Sequence, residues 1–202
     1  MADFGSEISE ALQSEEKIPR DQVVRWIDSA EDLSTLAKLY RITGEFYHRI
    51  NPDLGKETTC ALIQRYLLEG IRQGVQDENE EIEERWEAAQ SLHVWFRHIL
   101  EMGDSAAILT RATHAVTNLF LTSGDDIRNA IEQGFLEHAL ETADLRPYFE
   151  YWSKDERLRD AWERALNWGK AHPDYMWGLF HGRGRTIGRM KNNAPSERPT
   201  KS

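Results

Sequence analysis

"TSGDDIRNAIEQGFLEHAL", residues 122–140, reads as a helix with its start signal attached. Ser123 stands where an N-cap side chain accepts from a free backbone amide. Asp125 and Asp126 set negative charge against the positive end of the helix dipole. Behind them Ile127, Ile131, Gly134 and His138 recur in steps of 4, 3 and 4, which is one face of a 3.6-residue period. The stripe ends on a histidine. Whether His138 does chemistry or holds a helix seam decides how the rest of the chain is read.

The same steps occur 45 residues upstream, at Ile82, Trp86, Ala89 and His93. The preceding segments agree at that displacement, Ile63, Leu67 and Gly70 standing against Ile108, Ala112 and Ala115. A period of 45 lies in the range of HEAT-like and armadillo-like repeats. A second stripe, Ala88, Leu92, Trp95, Ile99 and Met102, widens the apolar face of the upstream helix, as expected where a helix packs on its partner and on the next layer. These patterns predict an all-α fold of HEAT-like antiparallel helix pairs or a compact helical bundle, with about seven helices.

Strand signals are nearly absent, with no alternating β-branched run and no Asn-Gly turn. Asp21 and Ser29 are candidate N-caps for a short helix and then a longer one, the latter with Leu33, Leu36, Tyr40 and Tyr47 on one face. "NPDLGKE" (51–57) breaks the chain, and helices follow near 57–74, 80–102, 104–121 and 125–141. "DLRPYFEYW" (144–152) is a turn-helix unit, because proline is tolerated only in a first turn. Ser153 then caps a helix that aligns Leu158, Trp162, Ala165 and Gly169, and "AHPDYMWGLF" (171–180) closes the fold. Residues 1–20 read as a partly ordered N-terminal arm, 21–180 as a single helical domain, and 181–202 as a basic disordered tail.

The 202 residues can bury a substantial core, and 7 Trp, 6 Tyr and 7 Phe argue against disorder. No stretch approaches the roughly 18 apolar residues of a bilayer span, and the first 20 residues lack the basic start and apolar run of a secretory signal. The single cysteine, Cys60, excludes an internal disulfide and a multi-cysteine zinc site and predicts a reducing, cytoplasmic setting. Net charge is −10, yet residues 181–202 carry six basic side chains against one acid, so the first 180 residues hold −15. Such a body repels phosphates and attracts cationic surfaces, which favours a basic protein partner over nucleic acid or membrane for the folded part.

The chain offers little for catalysis. His93 and His98 lie five apart, too far round a helix to share a metal, and there is no His-Glu-x-x-His, Cys-x-x-Cys, phosphate loop or nucleophile elbow. His93 and His138 are expected at helix seams, each with a ring nitrogen bonded to a carbonyl or carboxylate. Cys60, beside Ile63 with no histidine a turn away, reads as core. The sequence therefore predicts no catalytic residues, no metal ligands and no cofactor. "DENEEIEER" (77–85) packs six carboxylates between Asp77 and Glu84, and Glu80 and Glu81 correspond to Asp125 and Asp126 one repeat later. Glu80, Glu81, Glu84, Asp125 and Asp126 are thus expected along one edge, as a docking surface. Nine aromatics between Leu145 and Phe180 predict a capping core, with Trp168 and Trp177 as candidate partner-binding anchors.

"HAVTNLFLTSGDD" followed by "IRNAIEQGFLEHAL" resembles small all-helical bacterial proteins of immunity or uncharacterised type from toxin–immunity loci, through Asn129, Ala130, Phe135, Leu136, Glu137 and Leu140. The resemblance implies a non-catalytic protein that acts by binding another protein. Two other readings stay open at this stage: a scaffold or regulatory subunit acting as a homo-oligomer, and an enzyme using a buried histidine with a carboxylate.

Overall fold

The computed structural model describes residues 4–74 and 82–173. Among them are nine helices rather than seven. The two additions are α1 (Phe4–Gln13), in the stretch read as an arm, and a short α8 (Arg146–Phe149) in the turn-helix unit.

Helix α1 packs because its neighbours hold it. Ile8 is fully buried, and Trp26 of α2 (Arg20–Ser29) donates its indole N–H to Glu7 Oε2 at 3.0 Å. Arg49 is buried despite its charge, since its guanidinium donates to the carbonyls of Ala11 (2.7 Å) and Glu16 (3.0 Å). Ile18–Pro19 (β1) and Ile50–Asn51 (β2) form a parallel ladder two residues long, Ile18 opposite Ile50. Helix α3 (Leu33–Gly44) is capped by Asp32, which accepts from the Thr35 amide at 2.8 Å; Ser29, expected as the cap, is instead the last residue of α2. Tyr47 falls beyond α3 in a 3-10 turn and is 67% exposed, so it leaves the Leu33–Leu36–Tyr40 face.

The second half holds α4 (Lys56–Gln73), α5 (Arg85–Glu101), α6 (Ala106–Thr122) and α7 (residues 125–139), then α8 and α9 (Arg159–Ala171). Gly74 ends α4 with φ +59°, the left-handed conformation that glycine adopts without strain. Gly124, not Ser123, occupies the N-cap of α7. Ser153 sits inside a 3-10 turn (Glu150–Lys154), so α9 starts later, from Leu158.

Small residues set how these helices meet. The α4–α5 hairpin closes at Gly70, where a Cβ would stand 3.0 Å from that of Ala88. Helix α7 lies along α5 in the same direction: Gly134 faces Ala89, the His138 ring lies 5.8 Å from His93, and Arg97 reaches Thr142 Oγ1 at 3.4 Å. Each of those pairs is 45 residues apart. Helix α9 lies along α7, again parallel, through Arg164 on Glu132, Trp168 on His138 and Gly169 on Leu140. The result is a row of three parallel helices with α7 in the middle. A middle helix is covered on two flanks, which is why Ala130, Ile131, Glu132, Gly134, Phe135 and Leu136 are all buried. That segment, Ala130–Leu136, is a π-helix, whose wider turn spreads these residues over both flanks.

Candidate functional site

Three places in this framework gather polar chemistry. The first is a ladder of rings across the α5–α7–α9 row. His93 and His138 are followed by Trp168, edge-on to His138 at 4.9 Å, and by His172, stacked on Trp168 at 4.4 Å. His138 Nδ1 lies 2.7 Å from Oε1 of the buried Glu141, so the expected carboxylate partner is present. His93 departs from that expectation. It has no exposed surface and neither ring nitrogen has a hydrogen-bond partner. The reason is the parallel packing: α7 presents the His138 ring to His93, while helix carbonyls are spent on their own ladders. Burial first, then the charges of His138 and Arg97, push the His93 pKa down to about 3, so the ring is neutral across the physiological range. On the flank of α7 that faces α9, buried Glu132 accepts two hydrogen bonds from Arg164, at 2.6 and 2.8 Å. These groups act as rivets between the helices, without an opening to solvent at His93.

The second place is the edge formed by the helix starts. Parallel packing puts the N-termini of α5 and α7 at the same end, and Glu84, Asp125 and Asp126 are exposed there. Glu84 also caps α5: its side chain accepts from the backbone of Glu87, and Glu87 Oε2 accepts from the Glu84 amide at 3.2 Å. Sequence reasoning placed Trp86 inside with Ala89 and His93, but 45% of it is exposed on this edge. The missed signal is Gly134: the α7 residue facing Trp86 has no side chain to cover the ring. Trp168, expected as a partner anchor, is half-buried between two histidines. Glu80, Glu81 and Trp177 lie outside the described residues, as do most of "AHPDYMWGLF" and the basic tail.

The third is a cavity of about 560 Å³ between α3, α4 and α5. Its apolar walls come from Tyr40, Ile63, Leu67, Val94 and Trp95. Two carboxylates, Glu83 and Glu87, face it with Ser91 and His98. Glu83 Oε2 and Trp95 Nε1 are both buried without a partner. Burial pushes the Glu83 carboxyl above its ordinary range, and Tyr66 behind it, whose hydroxyl accepts the Glu83 amide at 3.1 Å, is pushed up to about 12. Sequence reasoning placed Tyr40, Ile63, Leu67 and Trp95 on separate apolar stripes and did not bring them to one space, because that depends on how α3, α4 and α5 pack.

Cys60 is buried, and burial pushes its thiol pKa up, which makes it a poor nucleophile. Among the described residues, no cluster of three or more His, Cys, Asp or Glu is placed to hold a metal ion, and no helix is long and apolar enough to cross a membrane. Comparison with protein-family models, curated proteins and solved structures finds no match to this chain.

Proposed function

We propose that the protein is a non-catalytic binding module whose acidic edge docks a basic protein partner. The observation that carries this reading is Trp86, a large ring 45% exposed near the start of α5, at the end of the row where Glu84, Asp125 and Asp126 are also exposed. An aromatic anchor inside a rim of like charge is how steering and adhesion are combined: the carboxylates raise the encounter rate, and the buried ring slows dissociation. The resemblance to immunity-type proteins supplies the finer version, an inhibitor of a basic, nuclease-like toxin in a bacterial cytoplasm. The three contacts at a displacement of 45 between the α5 and α7 segments support HEAT-like layering, whereas the α4 and α6 starts meet at displacements of 49 and 54, through Lys56 on Ser105 and Glu57 on Arg111.

The test is affinity capture with the full chain beside a Trp86→Ala/Asp125→Lys/Asp126→Lys variant, with captured proteins identified by mass spectrometry. A basic protein held by the parent at low salt, released as screening shortens the Debye length to roughly 5 Å or less, and lost by the variant is the expected result. Equal capture by both chains removes the acidic edge as the docking surface.

A further inference from the structure

The α3–α4–α5 cavity has the size, walls and charge of a ligand site that the acidic-edge reading does not use. Its volume of about 560 Å³ falls within the range of small-molecule pockets. Two electron-rich rings, Tyr40 and Trp95, line it together with Ile63, Leu67 and Val94. Glu83 and Glu87 contribute two carboxylates, and no lysine or arginine lines the space. An anion would be repelled there. A neutral apolar molecule would leave the two carboxylates without a counter-charge. A cation satisfies the carboxylates and is drawn to the ring faces, the same combination that recognises organic ammonium ions elsewhere.

We propose that this cavity binds a small organic cation with an apolar body, an aryl- or alkylammonium, seated between Tyr40 and Trp95 and neutralised by Glu83 and Glu87. The site is separate from the docking edge. Of the α5 residues that line it, Glu87, Gln90, Ser91, Val94 and His98 follow helical steps on a stripe roughly 130° round α5 from Ala89 and His93.

Calorimetric titration of the full chain with 2-phenylethylamine, 2-phenylethanol and 3-phenylpropionate tests it, because the three share a ring and differ in charge. The amine is expected to bind with a Kd below about 1 mM and at least about tenfold more tightly than the alcohol, with no heat from the propionate. In proton–nitrogen NMR spectra the amine should shift one indole N–H resonance, the one missing in Trp95→Phe. Glu83→Gln/Glu87→Gln should bring amine and alcohol within about twofold of each other. Val94→Phe, which fills the space without touching a charge, should abolish binding of both and remains informative if the double variant does not fold. Asp125→Lys/Asp126→Lys should leave amine binding unchanged, so loss of the docking edge and loss of this site are read separately. Equal affinity for amine and alcohol, no amine binding at about 10 mM, or undiminished binding in Val94→Phe would overturn the proposal.

Discussion

Helix α5 meets its neighbours in two opposite ways. On the side facing α7, Ala89 meets Gly134 and His93 meets His138, and the interface closes so tightly that an imidazole is sealed in with neither nitrogen bonded. On the side facing α3 and α4, Glu83 and Trp95 also carry buried, unpaired polar atoms, yet their side chains line a cavity of about 560 Å³. Burial alone therefore does not mark a functional group in this protein. What separates the two sides is access. A sealed polar ring shapes stability and its pH dependence, whereas side chains that line open space can meet a ligand.

The largest effect is expected one interface further along the closed row, where α9 packs on α7. A Cβ on Gly169 would come within 2.6 Å of the Leu140 carbonyl carbon, and backbone cannot swing aside. Gly169→Val should lose about 3 kcal/mol in urea unfolding, whereas Gly44→Ala, with nothing within 4 Å of its new methyl, should gain up to about 1 kcal/mol.

Next in size is the response to acid. The unfolded chain's imidazole takes up a proton below its ordinary pKa of 6.5, while folded His93 refuses it until about 3. Its contribution to stability is therefore intact above neutral pH and falls as pH drops through that window. Lowering pH from 7.5 to 5 should cost about 2 kcal/mol through this one group. His93→Leu should flatten that slope between pH 6.5 and 5, measured as unfolding midpoint against pH. An unchanged slope would mean that His93 is not sealed.

Smaller effects sharpen the contrast. Arg164 is largely exposed but holds buried Glu132, so Arg164→Ala should cost about 1 kcal/mol by stranding that carboxylate. On the open side, Glu83→Gln should change stability at pH 7 by no more than about 0.5 kcal/mol and in the favourable direction. Burial already disfavours the ionised Glu83, and the amide removes that charge.

Most of the helices could be read from the chain, because their signals are local. The stripes at Ile127, Ile131, Gly134 and His138 and at Leu158, Trp162, Ala165 and Gly169 fell on faces that are at least half-buried. Starts were read less well. Ser29, Ser123 and Ser153 have the right side chains for caps, but Asp32, Gly124 and Leu158 hold those positions. Capping depends on where the backbone leaves the helix, and serine recurs too often to mark it. The site was legible in its charges, Glu84, Asp125 and Asp126, and not in Trp86, whose exposure depends on a glycine 48 residues away.

What this chain determined by itself is helicity and its periods: apolar residues three and four apart, proline and glycine at the breaks, acids at the helix starts. Those are interactions within a turn or two, and they need no partner. Tertiary structure alone decided that α5, α7 and α9 run parallel in one row, that His93 is sealed rather than bonded, and that Glu83 and Trp95 face open space. The physical reason is that a side chain's surroundings follow from which helix lies against it and how closely. Glycines at 134 and 169 set that distance across gaps no local pattern spans.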